Sequence, residues 1–506
     1  MANQGHELRA VYSLAGGIVA LGTLFVYLAS NGTSAKARKA NAKLPSGPKQ
    51  HFALGNVFNF PKDRWYEAFT SWGKEYGDIV YVNLAGVHMM VLNSLEAVQE
   101  LTVNRASIYS ERPYTVMSND LMGQGFTMIL SSTGPNFTEQ RKVFHKFLGK
   151  QAISNYDGLI QRHTKDFIEQ INEFVGDPYD PLMKSAGDIL TTIGYGEKIN
   201  SEYGEILIKV NAASTNLIAW VFTKVWMVDM IPALRHVPSW MPGAGFKRTA
   251  ARGSFLVNTI RHWAYSMVEA AVADGTADDS IISKQINQPG ISNTNLRDAV
   301  AVMYGAGVDT TVSAIINFLY AMARHPEWQE RTRKEMEVIL GHDHMPTMED
   351  ISRLEIFNAV WKESFRWNPP VPLGIPHVSS KEDTWKGYYI PKGTILHCNI
   401  GQSLFFVVRP PDSPPGWILR DPRIWGNDGH QFNPNRFLAG KNPTIGQLPD
   451  VSSIPFGFGR RICPGRYLAE RLALQFSAAI LSTYNVLPPK GEPTQFDTVF
   501  QDSVVR

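Results

Sequence analysis

Cysteine is scarce in this chain, and neither sign of charge dominates it. The 506 residues include only two cysteines, Cys398 and Cys463, which cannot build a disulfide framework or a four-cysteine zinc site. The 49 basic and 46 acidic side chains leave a net charge of +3, so no nucleic-acid-binding face is expected. Hydrophobic residues make up 44% and charged residues 19%, which excludes global disorder. The composition indicates a large globular body in a reducing, intracellular compartment.

Several motifs of soluble enzymes are missing as well. No G-x-G-x-x-G follows a strand and opens a helix, no P-loop is present, and the glycine pattern near Cys463 fails the dinucleotide fingerprint at Ile462. No G-x-S-x-G nucleophile elbow occurs, which disfavours a serine hydrolase. His342 and His344 lie in a polar segment without a third ligand, so a solvated turn explains them better than a metal site. Electrons for any redox chemistry must therefore come from another protein.

A single membrane-like segment lies near the N-terminus. The run Ala10–Ser30 is uncharged, and its 21 residues would span about 30 Å as a helix, roughly one hydrocarbon core. A cleaved signal peptide is the alternative, but the run is long and no clean small-residue cleavage site follows it. Basic residues follow the run, and the positive-inside rule then places the body in the cytosol. We therefore expect residues 1–43 to form a single-pass transmembrane anchor with its basic flank, and residues 44–506 to form the body.

The body combines a helical period with a few short strands. From about residue 137 to 366 a 3.6-residue period dominates, interrupted by loops such as Asp177–Pro181. The longest helix candidate begins near Asn295, a good cap, and ends at Arg324, and a later helix covers Arg466–Tyr484. Strand-like runs are Asp78–Leu84, His88–Leu92, Tyr388–Ile390 and Thr394–Ile400. This pattern predicts a mainly α fold with a small β-rich part.

The stretch Phe456–Gly465, FGFGRRICPG, is the most informative part of the sequence. It is a glycine-rich loop that leads into a helix starting near Pro464. A cysteine at a helix N-terminus beside two arginines should be held as a thiolate, and Arg461 could pair with an anionic group on the same ligand. Thiolate, close backbone and adjacent cation together suit haem iron and its propionates. The alternative is an inert buried cysteine, which is how we interpret Cys398 in its strand.

The ten residues match F-x-x-G-x-R-x-C-x-G, so the sequence resembles the cytochrome P-450 superfamily of haem-thiolate monooxygenases, from the proline-rich turn near residue 45 to about residue 500. The similarity is closest to fungal membrane-bound members. The resemblance implies the cytochrome P-450 fold and haem b, with Cys463 as the axial ligand of the iron. It also implies that Phe456, Arg461 and Gly465 belong to the haem-binding loop.

Two further motifs follow the order that this family shows. The segment Ala306–Thr311, AGVDTT, resembles the oxygen-activating helix, in which Asp309 would relay protons and Thr310 would hydrogen-bond the bound oxygen. Taken alone, a crossing of small residues explains this hexapeptide equally well. Glu363 and Arg366 resemble two members of a buried Glu–Arg–Arg network that Arg436 would close, supporting the cysteine loop without doing chemistry.

Two haem contacts are expected outside the cysteine loop. Phe137–Arg141 matches W-x-x-x-R with phenylalanine in place of tryptophan, so Arg141 should pair with a propionate while one indole hydrogen bond is lost. His377 occupies a position where the family often places a propionate-binding residue. A satisfied surface histidine is the alternative for His377.

The resemblance implies a function that depends on a partner and a membrane. NADPH would act indirectly, through NADPH–cytochrome P-450 reductase on the endoplasmic reticulum membrane, with cytochrome b5 as a further donor used in the family. The reductase would dock around Lys142, Lys146 and Arg466, while Val371, Leu373 and Ile375 would line a pocket for a lipophilic small molecule, such as a polyketide, terpenoid or fatty acid of secondary or xenobiotic metabolism. A haem-thiolate isomerase or dehydratase stays open as an alternative, as does an inactive haem-binding product.

Two departures from the family pattern prompt the last alternative. Residues Gly401–Gly416, GQSLFFVVRPPDSPPG, separate a strand from a segment that normally follows it directly. These 16 residues correspond to 48 nucleotides, near the length of a short fungal intron, so we hypothesise a retained intron translated in frame. The chain also stops at Asp497–Arg506, where relatives usually continue into a final strand hairpin.

Overall fold

The computed structural model describes residues 33–488 except 53, 63–64, 173–176, 223, 342–343, 402–417 and 441–447. The predicted anchor helix, nearly all of the predicted insertion and the C-terminal stretch lie outside the described residues. The chain forms two compact units. Of the described residues, the β-rich unit contains those up to Pro113 with Leu373–Ile400 and Ile418, and the helical unit contains those between Tyr114 and Pro372 and those from Leu419 onward.

The β-rich unit contains short strands and a helix among the residues described. The strands are β1 Ile79–Leu84, β2 Val87–Leu92, β3 His377–Val378, β4 Asp383–Trp385, β5 Tyr388–Ile390 and β6 Ile395–Cys398, beside helix α1 Trp65–Tyr76. Four of the strands form a sheet with the order β1-β2-β6-β3, and β4 and β5 form a separate hairpin. The hairpin of β1 and β2 turns through Ala85 and Gly86, which both have positive φ, as a two-residue turn between right-twisted strands requires. Strand β2 pairs in parallel with β6, and the other two pairings of the sheet are antiparallel.

The helical unit contains ten helices of ten residues or more among the residues described. They are α2 Pro135–Leu148, α3 Asp157–Gln170, α4 Tyr179–Tyr195, α5 Glu197–Phe222, α6 Gly245–Asn258, α7 Ala264–Ala273, α8 Asn293–Arg324, α9 Pro326–Leu340, α10 Glu355–Trp367 and α11 Arg466–Thr483. Short helical turns connect several of them. The sequence prediction of a mainly helical chain with small sheets is confirmed.

Helix α8 forms the centre of the helical unit. It packs against α2, α4, α5, α10 and α11, and most of its 32 residues are buried. Its cap is Ser292, whose side chain accepts a hydrogen bond from the Asn295 backbone N–H, so the predicted cap at Asn295 was three residues too late. In the described part of the chain, α8 is also the one helix long and apolar enough to span a membrane, but it lies in the protein core.

Helix α11 follows the cysteine loop and confirms the predicted helix to within one residue. Its predicted apolar stripe of Leu468, Leu472, Phe476 and Ile480 is buried. Each fully buried side chain of this size contributes about 2 kcal/mol by leaving water. The loop predicted over Asp177–Pro181 was partly wrong, because α4 already begins at Tyr179.

Candidate active site

The cysteine loop is held in shape by its own backbone. A 3-10 turn ends at Phe456, and Gly457 then adopts a φ of 85°, a conformation that disfavours side chains. The Cys463 N–H donates to the Phe456 carbonyl oxygen at 2.8 Å, which closes the loop just before α11 begins. Cys463 is therefore fixed by backbone geometry at the start of a long core helix.

The surroundings of Cys463 act on its thiol in opposite directions. Although the residue retains some exposed surface, desolvation by its surroundings raises the pKa of the thiol. The Gly465 N–H and the charges of Arg141 and Arg466 oppose this effect. The two arginines that act on the thiol are thus Arg141 and Arg466, and the thiolate at Cys463 stays a prediction. A bound metal cation would deprotonate such a thiol.

Arg461 turns from the sulfur toward protein carbonyls. Its Nη1 donates to the Met128 oxygen and its Nη2 to the Ser131 oxygen, both at 2.8 Å. Its guanidinium also lies 4.3 Å from the centre of the Phe137 ring. Arg461 therefore ties the cysteine loop to the chain before α2, a role that the sequence did not indicate.

Phe137 and Arg141 are two members of the motif on α2. The Arg141 guanidinium lies 5.7 Å from the Phe137 ring centre, and its Nη1 donates to the Ile462 oxygen at 2.9 Å. Desolvation lowers the pKa of Arg141 below its usual value, and the charge of the neighbouring Cys463 opposes this larger effect. Phenylalanine at position 137 thus offers a ring face to two cations in place of an indole N–H.

Helix α8 carries Asp309 and Thr310. The Thr310 hydroxyl donates to the Ala306 carbonyl oxygen at 2.8 Å, yet α8 continues without a break. Residues 305–307 and Thr310 keep partial exposure in a helix that is otherwise mostly buried. The predicted opening is therefore a stretch of accessible surface, and the helix itself is intact. A Cβ at Gly307 would lie 2.9 Å from Leu190 of α4, so the alternative of a small-residue crossing also describes this segment.

Two residues that the sequence reasoning missed contact Asp309. The Tyr179 hydroxyl lies 3.5 Å from its Oδ1, and the Asn211 Nδ2 donates to its Oδ2 at 3.2 Å. Tyr179 is the first residue of α4 and lies 130 residues before Asp309 in the sequence. Asn211 lies within α5, 98 residues before Asp309. No local sequence signal marks either residue.

Glu363, Arg366 and Arg436 meet in the interior. Arg366 and Glu363 form a two-pronged ion pair at 2.7 Å, and both side chains are fully buried. The Arg436 Nε lies 3.5 Å from the same carboxylate, and its Nη2 pairs with Asp428 at 2.7 Å. The three residues therefore form the predicted cluster, with Asp428 as an additional member.

The other predicted residues lie in varied surroundings. His377 belongs to the β-rich unit, where its Nδ1 lies 2.7 Å from the Tyr109 carbonyl oxygen. Its ring is buried, so the alternative of a surface histidine was wrong. Cys398 is buried, as predicted, and burial raises the pKa of its thiol to about 12. His344 hydrogen-bonds Asp350 at 2.9 Å.

The predicted docking and pocket residues retain exposed surface. Lys142 and Lys146 are exposed on α2, and Arg466 is half-buried at the start of α11. Val371, Leu373 and Ile375 are all partly exposed, the first in the helical unit and the others in the β-rich unit.

The residues present fit a haem-thiolate group. Cys463 is a partly exposed residue whose sulfur accepts a hydrogen bond from the Gly465 backbone N–H, with Arg141 beside it. Helix α8, which carries the accessible Thr310, packs against both α2 and α11. A soft sulfur ligand, nearby cations and an accessible helix surface are the features that such a group requires.

Comparisons with known proteins show the family of this chain. Residues 45–505 match the family model described as cytochrome P-450. The cytochrome P-450 monooxygenase COX2 of Coprinopsis cinerea is 34% identical over 470 residues, covering 90% of this chain and 86% of the relative. Monooxygenase 208 of Postia placenta is 31% identical over 452 residues, covering 89% and 85%, and ple1 of Rhodocybe pseudopiperita is 31% identical over 466 residues, covering 90% and 85%. On these grounds the chain belongs to the cytochrome P-450 monooxygenases, with similar proteins in fungi.

Proposed function

We propose that this chain uses haem b and electrons from NADPH–cytochrome P-450 reductase to hydroxylate a lipophilic small molecule. One substrate, one O2, one NADPH and one proton would give one alcohol, one water and NADP+. The observation that carries this proposal is the accessible Cys463 in the same unit as the Asp309–Thr310 pair of α8. The fungal relatives favour a substrate of secondary metabolism.

The haem, when bound through Cys463, supplies the oxygen-activating chemistry. Arg141 and His377 are assigned to its propionates, and Phe456 and Gly465 to the loop that packs against it. Arg461 contributes positive charge while its Nη groups hold Met128 and Ser131. Thr310 orients a hydrogen bond at the accessible surface of α8, and Asp309 moves protons toward it. Val371, Leu373 and Ile375 are assigned to the substrate pocket.

The monooxygenase is favoured over an isomerase or dehydratase by the carboxylate of Asp309. An isomerase needs no delivered protons, whereas Asp309 is 95% buried beside an accessible hydroxyl-bearing residue. Turnover without reductase would establish the alternative function.

Docking of the reductase is assigned to Lys142, Lys146 and Arg466. Cytochrome b5 is assigned as a second protein that donates electrons. Residues 1–43 are assigned to a single-pass anchor in the endoplasmic reticulum membrane, with residues 44–506 as the cytosolic catalytic domain. Exposed apolar side chains of the helical unit support contact with lipid, since Trp240 is 79% and Phe255 70% exposed.

The reduced carbon-monoxide difference spectrum tests the proposal directly. A thiolate-bound haem should give a band near about 450 nm, and Cys463→Ser should abolish both the band and oxygenation. Cys398→Ser is the matched control, because this second cysteine lies buried in β6 and should leave the band in place. A well-folded protein without the band, or Cys463→Ser with it, would overturn the assignment.

A further inference from the structure

Asp309 has a local environment that the family motif does not explain. Its side chain is almost fully buried, and a buried carboxylate is costly unless donors surround it. Two donors come from neighbouring helices, Tyr179 from α4 and Asn211 from α5. They approach different oxygens of the carboxylate, so each of them favours the orientation that the carboxylate has here.

Tyr179 is the contact of the Asp309 carboxylate that lies nearer to the protein surface. It is the first residue of α4 and only partly buried, and Asp177 and Asp180 beside it are exposed. Its hydroxyl lies 3.5 Å from Asp309 Oδ1, longer than the usual O–H···O distance of about 2.8 Å. This contact can therefore open and close without the loss of a strong hydrogen bond.

Asn211 is the contact of the Asp309 carboxylate that lies deeper in the protein. It is 1% exposed, and its Nδ2 donates to Asp309 Oδ2 at 3.2 Å. Its Oδ1 is buried and has no hydrogen-bonding partner among the described residues. Gly305 of α8 lies beside it, and a Cβ at that position would meet this oxygen at 3.8 Å and no other described atom within 4 Å outside its own stretch of helix. Buried polar atoms of this kind are normally satisfied by an internal water.

We infer that Tyr179 and Asn211 are positioning residues that hold Asp309 in a proton relay, with a water on Asn211 Oδ1. The relay rests on the proposed function and adds a route to it. A solvent proton entering beside Tyr179 neutralises the Asp309 carboxylate, and Asp309 then releases a proton toward Thr310 and becomes a carboxylate again. Each proton delivered is thus replaced by one from solvent, and the relay involves no oxidation or reduction.

Crystal structures of the haem-loaded wild type, Asn211→Leu and Tyr179→Phe provide the readout that is independent of activity. We expect a water within hydrogen-bonding distance of Asn211 Oδ1 in the wild type and a rotated Asp309 carboxylate in Asn211→Leu. Burying that carboxylate without its donor costs about 1–3 kcal/mol and could prevent folding. Tyr179→Phe removes only one hydroxyl at a half-buried position. It should therefore fold and allow the relay to be tested even if Asn211→Leu does not fold.

Reductase-supported NADPH consumption in H2O and D2O provides the second readout. Loss of a positioned proton donor should slow consumption by about tenfold in Asn211→Leu, less in Tyr179→Phe, and enlarge the solvent isotope effect in both. Tyr484→Phe is the matched control, because it also removes one partly buried tyrosine hydroxyl, which contacts the Ile168 oxygen and Asn172 Oδ1, and it should change neither value. An unmoved Asp309 carboxylate with an unchanged isotope effect in both variants would overturn the relay. Loss of the carbon-monoxide band in the wild type would instead overturn the proposed function.

Discussion

Arg366 and Asn211 are both buried in the helical unit, but their hydrogen bonding differs. All five donor positions of Arg366 are used, two by Glu363 and three by the carbonyl oxygens of Leu419, Gly429 and Gln431. Asn211, beside Asp309, has an Oδ1 that meets no hydrogen-bonding partner in the part of the chain that the structure describes. A fully satisfied group holds one geometry, whereas an incompletely satisfied one leaves room for water and proton movement. The comparison separates a structural cluster from a chemical one.

The Arg366 cluster holds a segment of the chain that has no long helix or strand of its own. The three carbonyls that it binds come from residues 419–431, where the described chain forms only short turns. Asn433 adds a backbone N–H to Glu363 at 2.7 Å. Removing the arginine therefore leaves a buried carboxylate and several carbonyls without their main partner.

Arg366→Ala should have the largest effect on stability. Breaking a buried ion pair by removing one partner costs about 3–5 kcal/mol. We expect little soluble protein, and a markedly lower urea midpoint for any that folds. The control is Arg162→Ala, whose partner Glu197 is half-exposed and whose loss should cost about 0–1 kcal/mol. A urea midpoint for Arg366→Ala within error of that control would contradict the structural role.

Thr310→Ala should change chemistry while leaving the fold intact. The Thr310 hydroxyl bonds only the Ala306 carbonyl of its own helix in this structure, so the loss should cost less than about 1 kcal/mol. Product formed per NADPH should fall and peroxide release should rise, because a positioned hydroxyl beside the haem is lost.

Thr332→Ala is the control for Thr310→Ala. The Thr332 hydroxyl makes the same kind of bond within α9, to the Trp328 oxygen at 2.8 Å, but Thr332 is fully buried. It should leave coupling unchanged. If Thr310→Ala also leaves coupling unchanged, the role passes to Thr311 or to a water chain.

The sequence was sufficient for features that are local along the chain. Apolar periodicity predicted α8 and α11, short strand-like runs predicted β1 and β2, and a spaced motif located Cys463. Contacts between helices were out of reach, because nothing near Tyr179 or Asn211 in the sequence refers to Asp309. The contacts of Arg461 were out of reach for the same reason, since its acceptors Met128 and Ser131 lie more than 300 residues earlier.

The insertion predicted at Gly401–Gly416 joins the chain beside the Arg366 cluster. The Ile418 N–H donates to the Asn399 carbonyl oxygen at 3.2 Å, so the chain returns close to the point where it left. The next residue, Leu419, is held by Arg366 at 2.6 Å. Without the 16 residues the sequence would read Asn399-Ile400-Trp417-Ile418, and the same hydrogen bond would become the i to i+3 bond of a β-turn.

Deleting Gly401–Gly416 should therefore be tolerated, with the smallest effect on activity of the three changes. Fewer residues between Asn399 and Ile418 reduce the entropy cost of closure, which should raise the free energy of unfolding by roughly 1 kcal/mol. The loss of the Gly401 N–H bond to the Pro372 oxygen offsets part of this gain. Removing the apolar run Leu404–Val408 should also increase the yield of soluble, haem-loaded protein.

A variant carrying 16 glycine and serine residues in place of Gly401–Gly416 separates the effect of the segment's length from that of its sequence. Loss of haem binding on deletion, or transcripts that uniformly encode the segment, would show that it is a genuine part of the enzyme and that the Arg366 cluster does not suffice to fix the chain there.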